Sequence, residues 1–260
     1  MIDLSGKIAV ITGAGSGVGR AAARLFAQHG AKVLCADINS DWATSTATEI
    51  EAGGGDAGWV SCDVSDAAQV DAAVEAAVSR FGCIDIMYNN AGIASAAVGR
   101  GKTFVDYDNG DIAKLVSINF LGTLYGCRAA ITRFLQQGDG GVIVNTSSVA
   151  GMVGWGGVVY GATKGAVNQL TRGLAVEYAG KGIRVNSVCP AGMATNFGKS
   201  DGPRENLATE GELELYRQLH PLGKPIAPED TAQAALFLAS DAAGNITGVN
   251  LPVDGGYVAR

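Results

Sequence analysis

A tyrosine and a lysine, Tyr160 and Lys164, lie four positions apart in a stretch with helical periodicity. On a helix, residues at positions i and i+4 project from the same face, so these two side chains would be neighbours. A free tyrosine has a pKa of about 10 and is a weak base at neutral pH, but a nearby positive charge stabilises its phenolate. The pair could exchange a proton with an alcohol or ketone oxygen. An exposed tyrosine and lysine without any catalytic role can have the same spacing.

A glycine-rich turn follows the first apolar segment, residues 8–12, and leads directly into a helical pattern. Glycines let a backbone turn sharply and approach a pyrophosphate, and the N-terminus of the next helix offers unpaired N–H groups and a favourable dipole. A tight turn without a ligand has the same glycines, but the strand before it and the helix after it favour dinucleotide binding. The residues expected to contact the cofactor here are Gly13, Ser16, Gly17, Val18 and Gly19.

An acidic residue, Asp37, ends the second apolar segment and lies 18 residues after Gly19. This is close to the spacing of about 20 residues at which a carboxylate contacts the adenosine ribose. A carboxylate can accept hydrogen bonds from both ribose hydroxyls, but it repels a 2′-phosphate. Neither Ser16 nor Ile38, which we also expect beside the ribose, adds a positive charge. The sequence therefore predicts NAD as the cofactor rather than NADP.

Composition argues against several other functions. The 260-residue chain has a net charge of -6 and no Lys/Arg cluster, so we expect no nucleic-acid surface. No apolar run approaches the roughly 18 residues of a membrane span, and the first residues lack the pattern of a signal peptide. Five scattered cysteines indicate a reduced, cytoplasmic protein. With only two histidines, neither a metal site nor a Ser-His-Asp hydrolase is expected.

Short apolar segments alternate with amphipathic, helix-length segments along the chain. Nearly continuous apolar segments are typical of strands buried on both faces of a parallel sheet, and the alternation predicts right-handed crossovers. We expect one domain over residues 1–260, with an α/β, doubly wound, Rossmann-like parallel sheet of about seven strands and helices on both faces. The predicted strands are residues 8–12, 32–36, 58–62, 84–88, 142–146, 184–188 and 249–253.

The segment from about residue 196 to residue 228 interrupts this alternation. It contains several glycines and prolines but no strand pattern, and its leucines and Tyr216 suffice for one or two short amphipathic helices. Long insertions in a compact domain are commonly functional. We predict a lid over the substrate site, and a surface excursion without that role is the alternative.

Several motifs follow one another in an order that resembles the short-chain dehydrogenase/reductase family over essentially the whole chain. The resemblance implies that Tyr160 is the acid/base for hydride transfer between a nicotinamide cofactor and a secondary alcohol or ketone, supported by Lys164. The matching motifs are the glycine turn, Asp63-Val64, Asn89-Asn90-Ala91-Gly92, Asn119, Ser147-Ser148, Tyr160-Gly-Ala-Thr-Lys164, the segment from Pro190 to Thr195, and Val253-Asp254-Gly255-Gly256.

The resemblance implies two further catalytic residues. A serine after the fifth strand polarises the substrate oxygen, and two adjacent serines compete for this role. Ser147 has the more usual separation from Tyr160, whereas Ser148 aligns through the residues that follow it, and we choose Ser148. Asn119 corresponds to a helical asparagine that holds a water in the proton relay to Lys164. Asparagine is a poor helix former, so its position indicates a specific hydrogen bond, although a packing role is the alternative.

Other matches imply cofactor contacts. The Pro190 segment departs from the family's Pro-Gly, since it reads Pro190-Ala191-Gly192, but the spacing to Thr195 is kept. We therefore expect a backbone contact to the carboxamide near Met193. The residues to which the resemblance assigns cofactor contacts are Asp63 and Val64 at the adenine, Asn90 beside the adenine-side ribose, Lys164 at the nicotinamide ribose, and also Ala91, Gly92, Tyr160, Pro190, Met193 and Thr195.

Two departures from the family bear on the substrate. The segment 93–112 is several residues longer than usual, and Trp155 lies in the loop between Ser148 and Tyr160, where it could face the substrate, a subunit or the lid. With the apolar lid, these features favour a hydrophobic or cyclic secondary alcohol or ketone. The alternatives are an NADPH-dependent carbonyl or 3-oxoacyl-thioester reductase, a sugar-nucleotide epimerase or dehydratase, and a non-catalytic NAD-sensing regulator. The family assembles as dimers or tetramers, so we expect a homo-oligomer, of which a homotetramer is one form.

Overall fold

A single parallel sheet is the centre of the computed structural model, which describes residues 2–99, 101–193, 195, 197 and 209–260. Within these residues the sheet has seven strands in the order β3-β2-β1-β4-β5-β6-β7, and every neighbouring pair is parallel. The fold class predicted from the sequence is thereby confirmed. The strands are β1 (Ile8–Thr12), β2 (Lys32–Asp37), β3 (Ala57–Ser61), β4 (Ile86–Asn89), β5 (Gly141–Thr146), β6 (Ile183–Pro190) and β7 (Asn250–Val253).

The fourth strand starts two residues later than the sequence predicts. The Ile84 N–H donates to Gln137 Oε1 at 3.1 Å, and the Gln137 amide donates to the Ile84 carbonyl at 2.8 Å. The Gln137 side chain therefore satisfies the backbone polar groups of Ile84, and sheet pairing begins only at Ile86. The other strands match their predicted positions to within one residue at most ends, and β6 continues to Pro190.

Helices cover both faces of the sheet. The first, second and eighth helices pack with one hydrophobic core, and the third, fifth and sixth pack with another on the opposite face. This two-sided covering explains why most strands are apolar along their whole length. The helices are α1 (Gly17–Gln28), α2 (Ser40–Ala52), α3 (Ala67–Phe81), α4 (Asn109–Val116), α5 (Gly122–Gln137), α6 (Val158–Tyr178), α7 (Glu210–Leu219) and α8 (Pro228–Ala239), with a π-helical turn at Ser117–Leu121 between α4 and α5.

The strand order reverses between β1 and β4, which lie side by side although β2 and β3 come between them in the chain. In open α/β sheets, ligands bind outside the carboxyl ends of the strands at such a switch point, because the flanking loops diverge there and leave a crevice. The glycine turn follows β1 and the Asn89 motif ends β4. Both predicted cofactor motifs therefore lie at this crevice.

The predicted lid contains one described helix, α7. Its first turn is closed by a capping box, in which the Thr209 hydroxyl accepts from the Glu212 N–H and the Glu212 carboxylate accepts from the Thr209 N–H. Asn196 and residues 198–208 of the predicted lid lie outside the described residues. The lid function stays a prediction.

The described residues have no membrane-spanning helix, no metal-binding cluster and no disulfide bond. None of their helices is both long and apolar enough to span a membrane. They contain no cluster of three or more His, Cys, Asp or Glu side chains that could hold a metal ion. All five cysteines are free, and every one except Cys83 is buried.

Candidate active site

A cleft of about 740 Å³ runs along the carboxyl edge of the sheet. Gly19 and Asn119 are the predicted site residues that do not line it, and they lie just behind its wall. Both serines of the Ser147-Ser148 pair reach it. The predicted residues that line the cleft are Gly13, Ser16, Gly17, Val18, Asp37, Ile38, Asp63, Val64, Asn90, Ala91, Gly92, Ser148, Tyr160, Lys164, Pro190, Met193 and Thr195.

The glycine turn is too tight for side chains at Gly13, Gly15 and Gly19. A Cβ at Gly19 would lie 2.0 Å from the Gly13 carbonyl oxygen, and Gly13 has a φ of +65° and would place a Cβ 2.9 Å from Ala91 Cα. Ser16 precedes α1 in an extended conformation, and its side chain makes no capping hydrogen bond. The first N–H groups of α1 are thus available to an anion. This cradle fits the pyrophosphate of a dinucleotide, and Gly19 acts by allowing the close turn.

Asp37 ends β2 with its carboxylate fixed by the backbone. Its Oδ2 accepts from the Gly15 N–H at 2.8 Å, and its Oδ1 accepts from the Asn39 N–H at 2.9 Å. A Cβ at Gly15 would meet both Asp37 Oδ2 at 2.8 Å and Trp42 Cβ at 2.7 Å, so glycine at this position allows the turn to pack closely on Asp37 and Trp42. Ile38 is 69% exposed beside it. The carboxylate is oriented before any ligand binds.

Asn90 fastens the end of β4 to the glycine turn. Its side-chain amide donates to the Thr12 carbonyl at 3.1 Å, while the Thr12 hydroxyl accepts from the Asn90 and Ala91 N–H groups at 3.0 and 3.1 Å. The resemblance places Asn90 at a ribose, but its amide is engaged with the turn beneath. Asp63 accepts from the Ser65 N–H and hydroxyl, and it lines the cleft next to Val64.

The two adjacent serines have different partners. The Ser147 hydroxyl donates to the Lys164 carbonyl at 2.9 Å, which commits it to the backbone of α6. The Ser148 hydroxyl donates to the Pro190 carbonyl at 3.3 Å and accepts from the Ala150 N–H at 3.1 Å, and it is close enough to the Tyr160 hydroxyl to lower the pKa of Tyr160. The structure therefore brings Ser148, and not Ser147, to the Tyr160 hydroxyl.

Tyr160 and Lys164 are both buried on the inner face of α6. Lys164 Nζ donates to the Thr146 carbonyl at 2.8 Å and lies 5.8 Å from the centre of the Tyr160 ring. Burial raises the pKa of Tyr160 to about 12, although the hydrogen bond with Ser148 lowers it in part. Burial likewise lowers the pKa of Lys164 to about 8. Without a bound cofactor, the desolvation of both groups outweighs the stabilisation of the Tyr160 phenolate that we expected from Lys164, because burial penalises the charged form of each side chain.

Asn119 lies in the π-helical turn and binds the backbone of Ile93. Its Oδ1 accepts from the Ile93 N–H at 2.8 Å, and its Nδ2 donates to the Ile93 carbonyl at 2.9 Å. The sequence predicted a specific hydrogen bond, and these two contacts provide it. A Cβ on Gly92 would lie 3.0 Å from Asn119 Oδ1 and 3.6 Å from Lys164 Nζ, so Gly92 lies between these two side chains.

Known proteins resemble this chain over nearly its whole length. A family model described as enoyl-(acyl carrier protein) reductase matches residues 13–258. The chain is 42% identical over 259 residues to 3beta-hydroxysteroid dehydrogenase 1 of Eggerthella lenta, covering 98% of this chain and 94% of that protein. It is 39% identical over 263 residues to D-threitol dehydrogenase of Mycolicibacterium smegmatis, covering 99% and 95%. This chain belongs to the short-chain dehydrogenase/reductase family.

A solved structure from the same family has the same fold as this chain. A short-chain type dehydrogenase/reductase from Mycobacterium marinum superposes with a TM-score of 0.89 at 34% identity, covering 99% of this chain and 98% of that one. The chain is also 39% identical over 255 residues to 2,5-dichloro-2,5-cyclohexadiene-1,4-diol dehydrogenase LinX of Sphingobium indicum, covering 98% and 97%. As a member of this family, the protein is an oxidoreductase that transfers a hydride between a nicotinamide cofactor and an alcohol or ketone.

The end of the cleft beyond Tyr160 is apolar and aromatic. The Phe197 ring packs edge-on against Tyr160, with 5.9 Å between ring centres and 65° between planes. The first residues of the long segment, 93–97, form another wall, and the Ser95 hydroxyl donates to the Gly156 carbonyl at 2.9 Å, which binds this wall to the loop that carries Trp155. Trp155, Met193, Phe197 and Tyr216 line this end.

Several residues of the site were missed by sequence reasoning. Thr146 contributes a backbone carbonyl, and any residue type could supply that group. Thr12 and Trp42 act through contacts with segments remote in the chain. Tyr216 was placed in the lid but without a role, and its position at i+4 from Glu212, which also lines the cleft, was an available signal.

Proposed function

We propose that this protein is an NAD-dependent dehydrogenase that interconverts a hydrophobic or cyclic secondary alcohol and its ketone, with Tyr160 as the acid/base. The observation that supports this most strongly is the meeting of Ser148, Tyr160 and Lys164 in one cleft with the glycine turn and Asp37. We further propose that it is a single-domain, cytoplasmic protein with a lid over residues 196–228, and that it acts as a homodimer or homotetramer.

Each side chain has a role that follows from its contacts. The Ser148 hydroxyl holds the substrate oxygen, and the Tyr160 hydroxyl beside it gives or takes the proton. Lys164, anchored on the Thr146 carbonyl, brings a positive charge below the phenol. Asn119 binds the backbone of Ile93 and so holds this wall of the cleft. Its side chain and that of Lys164 lie on either side of Gly92, which supports a role for Asn119 in the proton relay to Lys164.

The cofactor would lie between the glycine turn and Tyr160. When bound, a nicotinamide dinucleotide supplies the hydride donor or acceptor and, in its oxidised form, a positive charge near the phenol. Asp37 favours NAD, because its fixed carboxylate can accept from ribose hydroxyls and repels a phosphate. The residues that would hold the cofactor are Gly13, Ser16, Gly17, Val18, Asp37, Ile38, Asp63, Val64, Ala91, Gly92, Tyr160, Lys164, Pro190, Met193 and Thr195, with Gly19 and Asn90 supporting the turn.

The substrate preference rests on the apolar end of the cleft. The names of the relatives cover a hydroxysteroid, a chlorinated cyclohexadienediol and an open-chain polyol, D-threitol. A polyol would lose hydration against the rings of Trp155, Phe197 and Tyr216, whereas an alicyclic body gains from burial there. We therefore favour a cyclic substrate over a polyol.

The test is the change in absorbance at about 340 nm when NAD or NADP is mixed with a panel of secondary alcohols. We expect turnover with NAD and a roughly 10²- to 10⁴-fold lower kcat for Tyr160→Phe, the range that a lost general acid/base costs. NAD affinity should stay nearly unchanged. Tyr178→Phe, near the end of the same helix, is the matched control.

Three other outcomes have distinct meanings. Faster turnover of 3-oxoacyl thioesters with NADPH would support the reductase alternative. NAD binding without any turnover would support a non-catalytic regulator. If Tyr160→Phe lost NAD binding together with activity, the tyrosine would have a structural role and our assignment would be wrong.

A further inference from the structure

Gly192 lies where rings from two separate segments converge. A Cβ at this position would lie 2.7 Å from Tyr216 Cε1 and 3.3 Å from Trp155 Cζ2. Tyr216 comes from α7, and Trp155 comes from the loop before α6. Both side chains line the substrate end of the cleft. Glycine at this position therefore allows the two rings to approach the same point of the backbone.

The backbone at Gly192 does not itself require glycine. Seventeen glycines of the described chain have a positive φ, and Gly192 is not one of them. An alanine could adopt its conformation, and only the space taken by the Tyr216 and Trp155 rings stands against it. The preceding residue, Ala191, is buried in a small apolar cluster with Val149 and Ile226. The position of the glycine, one residue later than in the family's Pro-Gly, thus has a local reason in the packing of the rings.

Both rings are supported from behind. Trp155 packs edge-on against Tyr257 with 6.2 Å between ring centres, and Tyr216 stacks on His220 at 6.3 Å with 9° between planes. His220 is 2% exposed, and its Nδ1 lies 3.1 Å from the Lys224 carbonyl. Such aromatic pairs contribute beyond the area they bury. The two rings therefore form a fixed end wall.

The chemistry of this wall is that of a flat, apolar surface. The carboxylate of Glu212, one turn before Tyr216, also lines the cleft, but its Oε2 accepts from the Thr209 N–H at 2.9 Å and lies 3.1 Å from the Thr209 hydroxyl. A ring-bearing substrate can lay a rigid apolar body against the aromatic surface at little entropic cost, whereas an open chain must lose rotamer freedom to do so.

We propose that Gly192 is a specificity-determining positioning residue: its missing side chain lets Tyr216 and Trp155 form an end wall that selects alicyclic over open-chain secondary alcohols. This inference rests on the proposed function, since it concerns the substrate of that same site. Gly192 acts through the two rings rather than through the reacting atoms.

The test compares cyclohexanol with 2-hexanol, which have the same number of carbons, in the wild type and in Gly192→Ala. We expect the ratio of kcat/KM for the two alcohols to shift at least about tenfold toward the open chain, through KM for cyclohexanol. NAD affinity, measured by calorimetry, should change less than twofold. Gly211→Ala on α7, where a Cβ would meet nothing within 4 Å, is the matched control and should leave the ratio unchanged.

A double-mutant cycle with Tyr216→Ala separates ring displacement from a general disturbance. With the Tyr216 ring removed, the added methyl loses its two closest contacts and the nearest that remains is Trp155 Cζ2, at 3.3 Å, so Gly192→Ala should change the ratio less than about twofold in that background. An equal effect with and without Tyr216, or an unchanged ratio in Gly192→Ala, would overturn the inference while leaving the dehydrogenase itself intact. If the wild type oxidised no alcohol at all, the proposed function would fail and this inference with it.

Discussion

The Asp37 carboxylate is held by backbone N–H groups on both of its oxygens, from Gly15 and Asn39. Hydrogen bonds to a charged group are worth roughly 1.5–3 kcal/mol each, and they fix the carboxylate toward the cleft. A group so oriented loses little freedom when a ribose binds. The proposed preference for NAD over NADP therefore rests on a single side chain.

Asp37→Asn is predicted to weaken NAD binding about 10- to 100-fold and to reduce the discrimination against NADP. The amide keeps the shape but removes the negative charge that repels a 2′-phosphate and accepts from the ribose hydroxyls. Titration of both cofactors by calorimetry measures the two affinities. Asp56→Asn, an exposed acid next to Lys32, is the control for loss of charge. An unchanged NAD/NADP ratio would contradict the role of Asp37.

Lys164 makes stability depend on pH in a defined direction. Burial lowers its pKa from 10.5 to about 8, so between these values the unfolded chain binds a proton that the folded chain does not. Below pH 8 the lysine is charged in both states. Each unit by which burial lowers the pKa corresponds to about 1.4 kcal/mol, so burying the charged lysine costs roughly 3 kcal/mol of folding free energy. Above 10.5 the lysine is neutral in both states and this cost disappears.

We therefore expect the free energy of unfolding of the wild type, relative to Lys164→Met, to rise by a few kcal/mol between pH 8 and 10.5. Urea unfolding of both proteins across this range measures it, and the difference removes the titration of groups that do not interact with Lys164. A relative stability that did not change with pH would mean that Lys164 keeps its ordinary pKa in the folded state, and one that fell would mean that folding raises that pKa.

At the scale of elements, the π-helical turn joins α4 and α5 and holds a wall of the substrate site. Its widened turn presents Asn119, whose amide binds both backbone polar groups of Ile93. π-helical turns inside α-helices are frequent at functional sites. The helix interruption and the position of the loop after β4 are therefore linked.

Asn119→Ala is predicted to lower the free energy of unfolding by about 2–4 kcal/mol, because it leaves the Ile93 N–H and carbonyl without partners. The same change frees the wall at residues 93–97, so KM for the substrate should rise more than KM for NAD. Thermal unfolding and steady-state kinetics measure the two effects. Ser117→Ala, at a half-buried position of the same turn whose hydroxyl bonds only to the Lys114 carbonyl among the described hydrogen bonds, should change neither. An equal rise in both KM values would argue against a local effect.

At the scale of the molecule, the carboxyl ends of the strands form the candidate site, whereas the amino-terminal end of β6 stabilises the fold. The predicted site residues lie at or behind the cleft on the carboxyl edge. On β6, Arg184 fastens other elements, since its guanidinium donates to the Leu238, Ser240 and Ile246 carbonyls at 2.9, 3.0 and 3.3 Å. This contact ties the end of α8 to the sheet, far along the strand from Pro190.

Arg184→Lys is predicted to lower the free energy of unfolding by about 2–4 kcal/mol without changing kcat or NAD affinity. A lysine ammonium cannot reproduce the planar fork that reaches three carbonyls at once. Denaturant unfolding and the absorbance assay together check this. Arg172→Lys, exposed on α6 and bonded only to Gln169 among the described hydrogen bonds, is the control. A loss of activity in the folded Arg184→Lys protein would show that the two ends of the strands are coupled.

Much of this architecture could be predicted from local patterns. The strands are apolar along their length because both faces of the sheet are covered, so β1 and β5 matched their predicted positions closely. The start of β4 could not be predicted, because a side chain from α5 replaces the sheet partner of Ile84. The glycine turn was recognised from its spacing, but the support that Asn90 gives it was not.

The sequence by itself determined which groups can do chemistry and where they stand on their elements. The four-residue spacing of Tyr160 and Lys164 and the position of Asp37 at a strand end are local properties, fixed by helical and strand periodicity. Only the tertiary structure decided that the Ser147 hydroxyl is held by the Lys164 carbonyl, and that Gly192 accommodates two rings. These outcomes depend on contacts between segments distant in the chain, and no local spacing encodes such contacts.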